Sequence, residues 1–137
     1  MENNFTILIG DRNAHICDFL RREISAAGYG VRLAGSGAEI IRQAYAKEPI
    51  DLVIIDPDLG ENGTSDLMNK LLNRIPVLPV IIHSHKSEVI TNLPQNENLF
   101  FVEKKANSIE SIKSLLPRCL SYRRLSQTTL KPSGTPP

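Results

Sequence analysis

The stretch LVIIDPDLG, residues 52–60, constrains the fold more than any other part of the chain. Four aliphatic residues run without a polar break into Asp56, and Pro57, Asp58 and Gly60 then turn the chain at once. An unbroken aliphatic run bounded by turn residues is the pattern of a strand buried on both faces of a parallel sheet. Parallel neighbours need long crossover connections, usually helices, so helix must alternate with strand along the chain. A carboxylate at the carboxyl end of such a strand stands where open α/β sheets bind ligands.

The rest of the chain supplies that alternation. FTILIG (5–10) reads as strand one, followed from Asn13 by a helix with Ile16, Phe19, Leu20 and Ile24 on one face and Gly28 as its stop. YGVRLA (29–34) alternates like a less buried strand. The GSG turn at 35–37 opens a second helix carrying Ile40, Ile41, Ala44 and Tyr45. After the quoted strand, Thr64 or Ser65 is placed to cap a third helix that buries Leu67, Leu71 and Ile75. VLPVIIH (77–83) and LFFVE (99–103) are strands four and five, and SHKSEVITNLPQNEN between them supports one short helix ended by Pro94. Asn107 and Glu110 form a capping-box pattern for a last helix with Ile109, Ile112, Leu115 and Leu116 inward. The reading is a five-stranded parallel sheet wound on both faces, a doubly wound α/β domain over residues 1–120. Residues 121–137, rich in Ser, Thr, Pro and basic side chains, read as a tail or linker, and the basic residues Arg118, Arg123, Arg124 and Lys131 as a solvated set.

Composition narrows the function classes. A chain of 137 residues can bury about two-thirds of its unfolded surface in a single domain. A formal net charge of +1 creates no global field toward nucleic acid or anionic membrane, and no apolar run approaches the roughly 20 residues of a membrane span. The start, MENNFTILIGDRN, has no basic n-region, and Cys17 and Cys119 lie far apart without metal-ligand spacing. The expectation is a cytoplasmic protein with reduced thiols.

Four polar residues follow buried strands, and in a parallel sheet those ends converge. Asp11 follows strand one, Asp56 ends strand three, Ser84 follows strand four and Lys104 follows strand five. Two facing carboxylates must share a cation or be partly protonated. An ammonium beside them, with a hydroxyl nearby, suits Mg²⁺ and a phosphoryl group.

This order of residues resembles the receiver domain of two-component response regulators, over residues 5 to about 120. TILIGDRNAHI is similar to the family's first strand and acidic turn, LVIIDPDLGENG to its phosphoacceptor segment, PVIIHS to its switch hydroxyl and FFVEKK to its lysine segment. The resemblance implies the flavodoxin-like (βα)5 topology with strand order 2-1-3-4-5. It implies Asp56 as phosphoacceptor, Ser84 and Phe101 as switch residues, Lys104 as charge compensation, and Asp11, Asp56 and Asp58 around a metal, Mg²⁺. It further implies a histidine kinase or phosphotransfer protein as donor and an output domain or partner protein as reader. A homodimer would form through the face made by the fourth predicted helix, strand five and the last helix, with no direct nucleic-acid or membrane contact.

The departures point elsewhere. Arg12 stands where the family has its second acidic residue, Lys105 where a proline follows the lysine, and His85 where a small residue follows the switch hydroxyl. The loop from Asp56 to Gly63 and the strand-four-to-five connection are short. Arg12 is either a surface residue or a guanidinium turned into the pocket to pair with Asp11, Asp56 or Asp58, and Mg²⁺ should bind weakly. Asp11 also suits a helix cap, Asp56 a turn before Pro57, Asp58 a plain loop, Ser84 a strand end and Lys104 a solvated charge. One of His83 and His85 should be packed, with no metal role for either.

Two signalling readings follow: a receiver accepting a phosphoryl group on Asp56, and a pseudo-receiver read by a partner without phosphorylation. An enzyme reading fails on placement. DPDLG resembles the DxD motif of haloacid-dehalogenase-type phosphatases, but that motif follows the first strand of its fold and here follows the third. A flavodoxin needs a hydroxyl- and glycine-rich phosphate loop after strand one, and GDRN is none.

Overall fold

The computed structural model describes residues 5–85 and 97–134, with side chains as far as 121. Strands β1 (Thr6–Gly10), β2 (Gly30–Ala34), β3 (Leu52–Ile55), β4 (Val80–Ser84) and β5 (Leu99–Glu103) make one parallel sheet in the order β2-β1-β3-β4-β5. This is the doubly wound order that the resemblance implies. The winding reverses between β1 and β3, so their carboxyl ends flank the crevice where such sheets hold ligands. Helices α1 (Ala14–Ala26), α2 (Gly37–Ala44), α3 (Thr64–Leu72) and α4 (Ser108–Gly134) complete the architecture. The short helix expected between strands four and five falls mostly on residues 86–96, outside the described residues. Among the described residues no helix is long and apolar enough to cross a membrane.

Alternation along the strands builds two cores. Ile7, Ile9, Leu52, Ile54 and Ile81 face α1 and α4, where they meet Leu20, Ile24, Ile112 and Leu116. Leu8, Val53, Ile55, Val80 and Ile82 face α2 and α3 and meet Ile40, Ala44, Leu67 and Leu71. All four residues of β3 are buried, as its unbroken aliphatic run requires. The outer strands β2 and β5 are only partly covered.

Local chemistry sets the helix starts. Asn13 Oδ1 accepts from the N–H groups of His15 (2.9 Å) and Ile16 (3.2 Å), and Ser36 Oγ accepts from Glu39 N (3.1 Å). At α3 neither Thr64 nor Ser65 is the cap. Gly63 takes that position with φ of 98°, a conformation that disfavours any side chain, and the Thr64 hydroxyl reaches back to the Pro57 carbonyl. Three expected core residues are on the surface. Phe19 lies off the face that buries Cys17, Leu20 and Ile24, and Tyr45 turns its hydroxyl to the Lys70 carbonyl at 2.7 Å. Ile75 is 92% exposed because α3 ends at Leu72, and Met68 fills the core instead. Strand four begins later than expected, at Val80, although the Pro79 carbonyl already accepts from Val53 N at 3.0 Å. The last helix runs on through residues 121–134, where composition suggests a linker.

Candidate functional site

The sheet brings Asp11 and Asp56 together by register. Gly10 pairs with Ile55, and the Asp56 N–H donates to the Gly10 carbonyl at 3.0 Å, so the ladder runs one step past the last paired residues. Gly10 is a glycine for a packing reason: a Cβ there would run into Ile40 of α2. From the other side, the Lys104 N–H donates to the Ser84 carbonyl at 3.0 Å and extends the β4–β5 ladder in the same way.

These extensions aim three charged side chains at one point. Lys104 Nζ lies 2.6 Å from Asp56 Oδ2 and 2.7 Å from Asp11 Oδ2, with only 8%, 11% and 5% of the three side chains exposed. The remaining carboxylate oxygens are also occupied. Asp11 Oδ1 accepts from Asn13 N at 2.9 Å and Asp56 Oδ1 from Asp58 N at 3.0 Å, each from the N–H two residues on. Every oxygen of both acids thus has a protein donor. Burial alone would push the Lys104 pKa down, but hydrogen bonds and attraction from Asp11 and Asp56 outweigh it and raise the value.

The surrounding polar groups are mostly packed. Ser84 is buried beside the Lys104 anchor. Phe101, half-buried opposite Ile82, lies on the same face of the sheet as Ser84. His83 is buried on the opposite face, where Nε2 meets Ser108 Oγ at 3.0 Å. Burial, then the charge of Lys104, lowers its pKa to about 4, so the ring is neutral. His85 is exposed. Cys17 donates to the Asp11 carbonyl at 3.4 Å, and burial followed by the Asp11 charge raises its pKa and keeps it a thiol.

Arg12 is exposed, and the cation that reaches both carboxylates is Lys104. Of the two readings of Arg12, its exposure matches the surface residue and not the guanidinium turned into the pocket, where Lys104 already satisfies both acids. Asp58 enters the site through its backbone N–H. Mg²⁺ demands near-octahedral oxygen ligation. Among the described residues no three acidic, histidine or cysteine side chains come together to offer it. Lys104 Nζ holds one oxygen of each acid, so a Mg²⁺ ion here would have to compete with the ammonium for Asp11 and Asp56.

Sequence reading finds Asp11, Asp56, Ser84 and Lys104 because each ends a strand. It misses the link from His83 to Ser108, 25 residues apart, and the role of the backbone N–H groups of Asn13 and Asp58. An acid followed two residues later by another small polar residue, as in DRN and DPD, is the signal for the latter.

No protein-family model matches the chain. Among curated proteins it is 29% identical over 117 residues to the DNA-binding transcriptional regulator NtrC of Bradyrhizobium sp. (strain RP501 Parasponia), a match covering 85% of this chain and 24% of that protein. It is 32% identical over 92 residues to NtrC of Rhizobium meliloti (strain 1021), covering 67% of this chain and 19% of that protein. The matched region is thus no more than about a quarter of these relatives' length. Among solved structures, the signal receiver domain of a putative LuxO repressor protein from Vibrio parahaemolyticus superposes with a TM-score of 0.75 at 19% identity, covering 93% of this chain and 98% of that one. The response regulator TrrA from Thermotoga maritima, solved in complex with Mg²⁺-BeF, superposes with a TM-score of 0.73 at 20% identity, covering 85% of this chain and 99% of that one. Those structures establish the fold, and with the curated relatives they place this chain in the response-regulator receiver-domain family.

Proposed function

We propose that this domain is a cytoplasmic signalling receiver whose acceptor is Asp56, charged by a histidine kinase or phosphotransfer protein. The observation that carries the reading is Lys104 Nζ within 2.7 Å of both strand-end acids. In the transfer, a carboxylate oxygen of Asp56 bonds to phosphorus as the donor's P–N bond breaks. Lys104 then faces a phosphoryl group instead of a bare carboxylate, and its ammonium offsets part of the added charge. Ser84 follows the phosphoryl oxygen, and Phe101 carries the change to the face of β5 and α4, read by an output domain, a partner protein or a second copy. Such a switch moves only by the difference in contacts that the phosphoryl makes in the two states. The domain itself would touch neither DNA nor membrane, and residues beyond about 120 would link it to whatever reads it.

A second reading is favoured by the oxygen inventory of the site. Both acids are fully partnered by protein donors, and Arg12 replaces a third carboxylate with an exposed cation. A pseudo-receiver needs no more than this closed triad and a docking face.

Intact mass after treatment with a small-molecule phosphodonor, with and without Mg²⁺, tests the choice. The expected result is one added phosphoryl group, lost in Asp56→Asn, with little dependence on millimolar Mg²⁺. In Arg12→Asp the labelling should quicken and become Mg²⁺-dependent. Labelling that survives in Asp56→Asn moves the acceptor elsewhere, and absence of labelling throughout favours the pseudo-receiver. Tight Mg²⁺ binding by the unmodified domain would refute the proposed weak metal site.

A further inference from the structure

The loop that carries Lys104 is closed at both ends on two consecutive residues of β4. At its start, the Lys104 N–H donates to the Ser84 carbonyl at 3.0 Å. At its end, Ser108 Oγ meets His83 Nε2 at 3.0 Å. Within it, Ser108 N donates to the Lys105 carbonyl at 3.0 Å. The second tether is buried: His83 is 4% exposed and Ser108 is 9% exposed. A buried pair of this kind is held by asymmetry, since breaking it strands two polar groups away from water. Nδ1 of the same ring is buried and has no hydrogen-bond partner among the described residues, which leaves Nε2 as the ring's one tether among them.

One tether is an in-plane ladder bond to the Ser84 carbonyl and the other the His83 side chain on one face of the sheet, so the loop is held through two different kinds of contact at one strand end. We propose that His83 is a positioning residue for the acceptor site: its hydrogen bond to Ser108 fixes the start of α4 and thereby holds Lys104 Nζ against Asp11 and Asp56. The neutral state of the ring agrees with this role, because a charged imidazole would place a second cation near the ammonium. Movement of the β4 end would then travel to α4 through His83 as well as through β5. The effect on phosphorylation rests on the reading of Asp56 as acceptor; the effect on Lys104 does not.

Trace acetylation of lysines, read residue by residue by mass spectrometry, tests the proposal on the whole chain. Lys104 should be strongly protected in the unmodified protein. Loss of this one hydrogen bond in His83→Leu or Ser108→Ala should raise its reactivity about tenfold. His83→Gln and Ser108→Thr, which keep a polar group at each end, should restore protection. Lys113, paired with Glu23 on the surface of α4, should keep its reactivity throughout. Should His83→Leu not fold, Ser108→Ala carries the same test. Unchanged protection of Lys104 in Ser108→Ala, or a parallel rise at Lys113 that marks general loosening of the helix, would overturn the proposal. So would failure of both conservative variants to restore protection. Phosphodonor labelling run on the same variants separates the two readings. Labelling that slows as Lys104 is exposed supports both, whereas the expected lysine pattern without labelling anywhere supports the latch and removes the acceptor.

Discussion

Among the described residues, two lysines reach carboxylates from distant parts of the sequence. Lys113 Nζ lies 2.8 Å from Glu23 where α4 crosses α1, with 33% and 38% of the two side chains exposed. Lys104 Nζ lies about as close to its two acids, but the whole triad is nearly sealed from water. Distance does not separate the pairs; solvent does. At the surface, water competes for both partners and salt screens the attraction. Inside, each charge depends on the others, because removing one partner leaves an uncompensated charge in a medium that solvates it poorly. The carboxyl edge of the sheet is therefore a place where one substitution is felt by every group, and the α1–α4 surface is not.

The strongest way to break this comparison is Lys104→Met. That change leaves Asp11 and Asp56 buried side by side without a cation, and loss of one partner from a buried ionic group costs about 3–5 kcal/mol. Urea unfolding at neutral pH should show a loss of that order. A loss below about 1 kcal/mol, the range of exposed pairs, would mean that water reaches the triad. The pH dependence of the unmodified protein sharpens the same point. Because the folded pKa of Lys104 is raised, its contribution is fully present below the unfolded value of 10.5 and fades only as pH rises through the higher folded value.

The next effect in size comes from His83. Its folded pKa is lowered from 6.5 to about 4, by burial first and by Lys104 second, with Asp11 and Asp56 opposing and His85 adding slightly. The folded state thus binds fewer protons than the unfolded chain between those values. Stability from this group is complete above pH 6.5 and falls as pH drops toward 4. At about 1.4 kcal/mol per pKa unit the fall is of order 3 kcal/mol. Unfolding measured at pH 7 and pH 4.5 should show this slope, and His83→Gln should remove its share of it. An identical acid slope in His83→Gln would show that the imidazole is solvated after all.

How much of this was legible in the sequence follows from which interactions are local. The strands were readable because burial on both faces leaves an unmistakable aliphatic run, and the acids and Lys104 because each follows such a run. Their convergence then follows from parallel winding alone. What stayed hidden is what depends on rotation about a helix or on exact ends. Phe19 and Ile75 look like core by spacing, but a small change in the face of α1 and the stop of α3 at Leu72 turn both to solvent. Arg12 could be read two ways because the turn after β1 decides where it points, and no periodicity encodes that turn. His83 looked merely packed, since its partner Ser108 is brought near only by the fold.

The smallest expected effect tests the other side of the comparison. Lys113 and Glu23 are separated by 90 residues and sit on two helices that pack together, so their pair looks like a fastener between the ends of the domain. The hydrogen bond that Lys113 Nζ donates to Glu23 is the first cause of its raised pKa, but a formed pair need not be a stabilising one. Holding two long side chains in one geometry costs rotamer entropy, and the gain is made in high dielectric. The packing of α1 on α4 rests instead on Leu20, Ile24, Ile112 and Leu116, all buried. Lys113→Ala should therefore leave the urea midpoint within scatter, and the small difference that remains should vanish in molar salt. A loss comparable to that of Lys104→Met, persisting at high salt, would show that the α1–α4 surface is as closed to water as the carboxyl edge and that exposure is the wrong guide to which ion pairs matter here.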